Sequence, residues 1–354
     1  MNKIKKVNSW NGWDPLKTVI LGNVYNADFF SDMKDKKTAG LLTKLLDETK
    51  QDLENFKREL EAEGVNVVQV PEDTALDGNI YTRSVQFEDK STPIPKPLLS
   101  PRDAYITMGN RVLATQHNKL LNDKVELLFE NRNDLDRTID AEGNHKREFD
   151  APYVTRIGNR LIVDIEDRQF LPEYLQKLYP HYEHVSHAVG GHNDGCFMPL
   201  KPGHVVSTMW VDQVDYERTL PGWDVYWIKD KSHYEEGQRR VEFYKFRDQR
   251  KDTDKTWWTA DSHHNEEYCN YVDKWLDEWT GWATETIFEV NMLVINPELV
   301  FCSNYNEKVF DYLNSIGMKT KIIPWRHRYF WDGGLHCLTV DIERDGEKQN
   351  YFGE

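Results

Sequence analysis

Five stretches of this chain set a polar residue ahead of short apolar runs, and those residues supply a thiol, an imidazole and carboxylates: Asp103, Asp150, His192 with Asp194, Asn291 and Cys337. Singly, each has an ordinary reading. Asp103 after Pro101-Arg102 and Asp150 are turn or cap residues, and His192-Asn193-Asp194 after Gly190-Gly191 is a polar loop. Cys337 is a small buried residue behind a tight Gly333-Gly334 turn. Taken together, at matching places in a repeat, they read as a site. Cys337 is a nucleophile, His192 moves protons and Asp150 orients it. Asp103 and Asp194 are then extra carboxylates beside a thiol, which they make less acidic and less reactive. That arrangement suits a substrate that brings positive charge. A planar guanidinium offers an N–H fork that two carboxylates can hold, and its charge favours the thiolate once bound.

The elements that must position these groups repeat. Asp103 to Leu113 and Asp150 to Ile162 have nearly the same wording, two short strands around a Gly-Asn turn (Gly109-Asn110 and Gly158-Asn159). Both predict β-hairpins. Looser copies run from His192 to Val206 with a turn at Pro202-Gly203, from Asn291 to Phe301 with a turn at Asn296-Pro297, and from Leu335 to Tyr351 with a turn at Asp345-Gly346. Between hairpins the chain passes through a helix and a further strand, most clearly in Tyr305 to Ile316 followed by Lys319 to Pro324. Near the N-terminus, Thr18 to Leu21 predicts a strand. Leu41, Leu42, Leu45, Leu46, Leu53, Phe56 and Leu60 then predict a long helix ended by Gly64, and Val65 to Val70 a second strand. This gives about five ββαβ units, the first and last closed by the terminal strands. Such units bury their faces by packing around a common axis, although spacing alone leaves the symmetry number open. Asp224 to about Thr286 breaks the rhythm and reads as an aromatic-rich insertion, a cover or an interface. Within it, His263-His264 with Glu266 and Glu267 reads as a solvated helix start rather than a metal site.

Composition narrows the partners. With 354 residues, 39% hydrophobic and 30% charged, the chain can bury a large core. Its formal net charge of −15 argues against tracking nucleic-acid phosphates. The lysine-bearing start, Met1 to Lys6, has no apolar core behind it, so no signal peptide is expected, and no apolar run approaches a membrane span. The four cysteines show no CxxC pairing, which fits a reducing cytoplasm better than a disulfide framework.

These residues resemble the amidinotransferases related to glycine amidinotransferase, in the guanidine-modifying pentein superfamily. The resemblance is carried by several short motifs in order: Asn11-Gly12-Trp13-Asp14-Pro15-Leu16 with Val19-Ile20-Leu21-Gly22, Pro101-Arg102-Asp103, Phe149-Asp150-Ala151, His192-Asn193-Asp194, Asn291-Met292-Leu293, and Gly333-Gly334-Leu335-His336-Cys337-Leu338-Thr339. It covers nearly the whole chain outside the insertion. It implies a five-bladed, pseudo-symmetric α/β propeller of ββαβ units, in one domain over residues 1–354 with the insertion at about 224–286. It implies Cys337 as nucleophile, His192 and Asp150 as the proton-transfer pair, and Asp103 and Asp194 as guanidinium binders, with Asn291 and Arg102 expected as further substrate contacts. The implied reaction passes the amidino group of L-arginine to Cys337, releases L-ornithine and hands the group to an amine, without cofactor or metal.

Three departures bear on the acceptor. Val189-Gly190-Gly191 stands where glycine-using members carry Asn-Pro-Met, an expected arginine is replaced near Trp210, and Glu289 stands in place of a small hydroxyl residue. The expected acceptor is therefore larger than glycine, an ω-amino compound or an amino sugar. The reading is a cytoplasmic, arginine-dependent amidinotransferase with small-molecule partners and no nucleic acid or membrane; oligomeric state is left open, a homodimer among the options. Its rivals are a guanidine hydrolase of the same superfamily and a non-catalytic binding protein of this fold.

Overall fold

The structure, a computed structural model, describes residues 3–72, 94, 96–116, 125–137, 148–165, 168–187, 191–208, 213–228, 257–259, 262–280 and 287–353. Among the described residues the strands form five three-stranded sheets. In each, a central strand pairs antiparallel with one neighbour and parallel with the other. The first sheet centres on β1 (Leu16–Leu21), beside β2 (Asn66–Gln69), and the second sets β4 (Arg111–Ala114) between β3 (Tyr105–Met108) and β5 (Leu135–Arg137). The third sets β7 (Arg160–Asp164) between β6 (Val154–Ile157) and β8 (Glu183–His187), and the fourth sets β10 (His204–Thr208) between β9 (Phe197–Lys201) and β11 (Asp224–Ile228). In the fifth, β13 (Leu299–Cys302) lies between β12 (Leu293–Asn296) and β14 (Lys319–Ile322), and the last strand, β15 (Thr339–Arg344), returns to pair with β1.

Antiparallel neighbours can be joined by a tight turn, whereas a parallel neighbour needs a crossover, usually a helix. The sequence supplies both. Gly109 and Gly158 have φ of +66° and +59°, the first position of a two-residue hairpin turn that favours glycine. Crossovers run through α1 (Lys36–Ala62), α2 (Leu171–Leu178) and α3 (Gln213–Thr219); α4 (Glu266–Trp275) follows the fourth sheet, and α5 (Glu307–Ser315) crosses over in the fifth. Asp35 caps α1 by accepting from the N–H groups of Lys37 and Thr38, which stabilises the helix by about 1 kcal/mol. The face of α1 carrying Leu42, Leu45, Leu46, Leu53, Phe56 and Leu60 is buried, as its period predicts.

Two expectations need correcting. The hairpin read into Leu335 to Tyr351 does not form: β15 pairs with β1, and the Asp345 N–H bonds to the Pro15 carbonyl. The fifth copy of the repeat is completed by the other end of the chain, a pairing that local spacing cannot reveal. Nor does an insertion begin at Asp224, because Asp224–Ile228 is the outer strand of the fourth sheet, parallel to β10. Of the remainder, Trp257, Tyr268, Cys269, Val272, Leu276 and Trp279 are buried in one apolar cluster with α1. One face of the described part thus joins the core, while His264, Glu266, Glu267, Asn270 and Lys274 remain exposed. His263 is likewise buried rather than solvated, with Nδ1 2.7 Å from the Thr259 carbonyl, and Asn265 caps α4.

Inner strands converge on one buried carboxylate. Asp341 of β15 is held by Arg102 Nη2 at 2.8 Å, by Arg344 Nε at 2.9 Å and by Arg156 of β6. Arg156 Nη1 also donates to the Thr107 carbonyl of β3 (2.8 Å), and Arg344 Nη1 to Val294 of β12 (3.0 Å). Burial alone would make Asp341 a weaker acid, but the three guanidinium groups outweigh it and hold its carboxyl well below the usual range. This ion cluster ties four units together directly beneath the loop that carries Cys337.

Candidate active site

That loop is shaped by glycine. A Cβ on Gly334 would stand 2.7 Å from both the backbone oxygen and Oδ1 of Asn291, so only glycine lets these segments touch. The touch is used fully. Asn291 Oδ1 accepts from the N–H groups of His336 (3.0 Å) and Cys337 (3.1 Å), while Nδ2 donates to the Asp194 carbonyl (3.1 Å) and to Cys337 Sγ (3.0 Å). Arg102 Nε donates to the carbonyls of His336 (3.0 Å) and Thr339 (2.8 Å). Trp325 Nε1 donates to the Gly333 carbonyl at 2.9 Å. Ahead of the loop, Trp331 stacks on Trp279 with ring centres 5.5 Å apart and donates to Thr49 of α1 at 2.9 Å.

The other polar residues sit on short helical turns that open their hairpins. Asp103 closes the turn Pro101–Asp103, Asp150 precedes Ala151–Tyr153, and His192 precedes Asn193–Cys196. Asn193 locks the last turn to its neighbour, donating to the carbonyls of Tyr153 and Ile162 at 3.2 Å and meeting His187 at 2.9 Å. His192 Nε2 lies 3.3 Å from Asp150 Oδ2 and its Nδ1 4.0 Å from Asp103 Oδ1. Gln116 donates to Asp150 Oδ1 (2.8 Å) and to the Asp103 carbonyl (3.3 Å). Asp194 Oδ2 is 2.7 Å from His336 Nδ1 and 3.6 Å from Cys337 Sγ, and its Oδ1 is buried without a hydrogen-bond partner among the described residues. The side chains of His192, Asp103 and Asp150 are 29%, 31% and 35% exposed, whereas Asp194 and Cys337 are buried. The thiol and Asp194 thus form a floor, and the other three stand toward solvent.

Electrostatics bind these groups into one cluster. Burial, then the charges of Asp194 and Asp103, push the Cys337 thiol well above its ordinary pKa, and the Asn291 hydrogen bond only partly offsets them. Burial likewise lifts Asp103 to about 6, against the pull of His192 and Lys96. Burial opposes charge on His192, yet the Asp150 hydrogen bond and the fields of Asp103 and Asp194 win and raise it to about 9. For Asp194, burial is outweighed by the His336 hydrogen bond, by the charge His336 carries only in the acid range where Asp194 titrates, and by the charges of His192 and Arg102, leaving it at about 2. At neutral pH the site therefore holds a protonated thiol, an imidazolium and ionised carboxylates.

Cys337, His192, Asp150, Asp103 and Asp194 are brought together. Asn291 and Arg102 are near, but their polar atoms face protein: Asn291 pins the thiol loop, and Arg102 joins that loop to Asp341. Gln116, His336 and Arg168 were not singled out from sequence. Arg168 sets its guanidinium carbon 4.0 Å from the centre of the Tyr153 ring, and its charge acts on Asp150. Only the tertiary contact distinguishes these from surface polar residues. Of the acceptor departures, residues 189, 190 and 210 lie outside the described residues; a Cβ on Gly191 would meet no atom within 4 Å among the described residues, and Glu289 is buried, accepting from Asn304 at 2.9 Å.

The chain can be placed among known proteins. No protein-family model matches it. Mitochondrial glycine amidinotransferase of Danio rerio is 30% identical over 71 residues, which is 20% of this chain and 17% of the relative's length. An amidinotransferase of the saxitoxin biosynthetic pathway from Microseira wollei superposes with a TM-score of 0.62 at 20% identity, covering 98% of this chain and 99% of that one. Inosamine-phosphate amidinotransferase of Streptomyces griseus superposes with a TM-score of 0.61 at 18% identity and the same coverage. Over nearly its whole length the chain therefore has the fold of these amidinotransferases, the five-unit α/β pentein fold. A dimethylarginine dimethylaminohydrolase from Pseudomonas aeruginosa shares the pentein fold at a TM-score of 0.52 and 10% identity, over 92% of this chain and 99% of that one. In this fold, equivalent unit openings carry Asp103, Asp150, His192 and Cys337 to one place.

Proposed function

We propose that this protein transfers the amidino group of L-arginine to an acceptor amine through an amidino-Cys337 intermediate, releasing L-ornithine. The observation that carries the reading is Asp194 Oδ1, a buried and ionised oxygen, unpartnered among the described residues, next to a protonated thiol. A buried carboxylate oxygen left unpaired is costly, and a guanidinium N–H both satisfies it and supplies the positive charge that turns the thiol toward thiolate. Asp103, at the same site, offers the second carboxylate for the guanidinium fork. Arg168 offers a cation for the α-carboxylate of an amino-acid donor.

The steps balance. The sulfur of Cys337 attacks the guanidinium carbon, forming a C–S bond. The C–N bond to the leaving nitrogen then breaks, and that nitrogen needs one proton to depart as a neutral amine. His192, already an imidazolium, donates it, and the proton lost by the thiol recharges the imidazole, so no net proton is consumed. The acceptor amine then attacks the same carbon, the C–S bond breaks, and a proton from the acceptor returns to the sulfur by way of the imidazole. Asp150 orients His192 and is itself held by Gln116. The open space at Gly191, beside His192, favours an acceptor larger than glycine.

With arginine alone, ornithine release is expected to stop near one equivalent per site and to resume when a suitable amine is added. A second reading, a guanidine hydrolase, draws on the shared fold of the dimethylaminohydrolase. Steady ornithine plus urea, or citrulline plus ammonia, at a rate independent of every amine tested would select it.

A further inference from the structure

Cys337 and Asp194 are joined by a residue with no role so far. His336 Nδ1 lies 2.7 Å from Asp194 Oδ2, and that same oxygen is 3.6 Å from the Cys337 sulfur. An ionised carboxylate only accepts, so the imidazole proton is on Nδ1. The backbone of His336 is already fixed without its ring, because its N–H goes to Asn291 Oδ1 and its carbonyl receives Arg102 Nε. The loop's path therefore does not depend on the imidazole, which is left to act on Asp194. We propose that His336 is a positioning residue for amidino transfer, holding the Asp194 carboxylate so that Oδ2 is shared between imidazole and thiol while Oδ1 stays free for the guanidinium.

Three observations converge on this role. Asp194 is buried beside a second carboxylate, Asp103, surroundings that by themselves favour its neutral form. The first hydrogen bond that opposes this comes from His336. Burial, and then the charge of Arg102, keep His336 itself below its ordinary pKa against the pull of Asp194 and Asp341. A neutral donor holds Asp194 in place without cancelling its charge, so the His336–Asp194 pair presents a full negative charge to an incoming cation. The site then contains two imidazoles with different duties: His192, charged, serves the leaving nitrogen, and His336, neutral, serves the carboxylate.

The role rests on the guanidinium reading above, so the test has one arm that needs a substrate and one that does not. His336→Asn retains an N–H close to the place of Nδ1, whereas His336→Gln keeps polarity and bulk but carries its amide past that place, and His336→Ala removes it. In a Cys337→Ala background, where no chemistry follows, arginine affinity measured by calorimetry is expected to fall about tenfold or more for the Gln and Ala variants, as for losing a hydrogen bond to a charged group. It should stay within about threefold for Asn. In the second arm, Cys337 is labelled with neutral 2-chloroacetamide across pH. Without the His336 donor, Oδ2 has the thiol as its only partner and holds the S–H more tightly against the existing fields of Asp194 and Asp103. The labelling profiles of Gln and Ala should therefore move to higher pH by about half a unit or more, while Asn tracks the wild type, with thermal melts confirming folding of each variant. Equal behaviour of Asn and Gln in both arms, or no movement in either, overturns the positioning role. Absence of any arginine binding together with the expected split in labelling would overturn the arginine reading and leave the positioning role standing.

Discussion

At the scale of single residues the site is a set of opposed fields. In the proposed reaction Asp103 must be ionised to hold a guanidinium fork, and burial has lifted it to about 6; as pH falls through that value the fork would lose one partner. In the same proposed reaction His192 must be protonated to serve the leaving nitrogen, and its neighbours have lifted it to about 9; as pH rises through that value the acid would be lost. kcat/KM for the donor is therefore expected to follow a bell with limbs near those two values, each belonging to the coupled cluster rather than to one side chain. An acid limb in the ordinary carboxylate range, with no basic limb near 9, would contradict this assignment. Asn291 gives a second prediction. The sequence suggests a substrate contact, yet Asn291 is fully buried and bonds to the Cys337 N–H, the His336 N–H and the thiol. Asn291→Ala should thus lower kcat by about 10²-fold through misplacement of the nucleophile, with little change in KM. A rise in KM at constant kcat would restore the substrate-contact role.

Elements convert these residues into a site through packing that the sequence displays only in part. The Gly-Asn hairpins and the apolar period of α1 were legible because each is set by neighbours within a few residues. The fifth hairpin was not, since β15 finds its partner 318 positions away, as in the Leu21–Thr339 pair. The start of the insertion is not legible for a related reason: Asp224–Ile228 carries aromatic residues suited equally to a strand and to a cover. His336 stood in view inside the Cys337 motif, but only its contact with Asp194 gives it a role. The aromatic residues of α4 and the turn after it matter here. Trp279 is fully buried and stacks on Trp331, just ahead of the thiol loop. Trp279→Ala should cost about 3–5 kcal/mol of stability, measured by denaturant unfolding, and should slow the chemistry in the fraction that folds. A loss below about 1 kcal/mol would show that this segment does not support the loop.

On the scale of the whole molecule, five sheets are closed into one architecture by two devices, the β1–β15 pairing of the chain's ends and the ion cluster around Asp341. Removing one partner from a buried charge network leaves the others unpaired, so Asp341→Asn is expected to cost about 3–5 kcal/mol. The Asp341 carboxyl is held well below its ordinary range, so its stabilising contribution is present above the unfolded pKa and is lost only as pH falls through the lower folded value. The variant should therefore lose most stability at neutral pH and differ least from wild type in strong acid; an equal deficit at every pH would assign the loss to packing. Everything at the site converges on one claim, that Cys337 accepts an amidino group. Intact-mass analysis of the protein incubated with arginine and no acceptor amine tests it most directly. The account predicts a single added amidino group, mapped by peptide fragmentation to Cys337 and absent from Cys337→Ala; an adduct that persists in that variant, or sits on Cys196, Cys269 or Cys302, would contradict it.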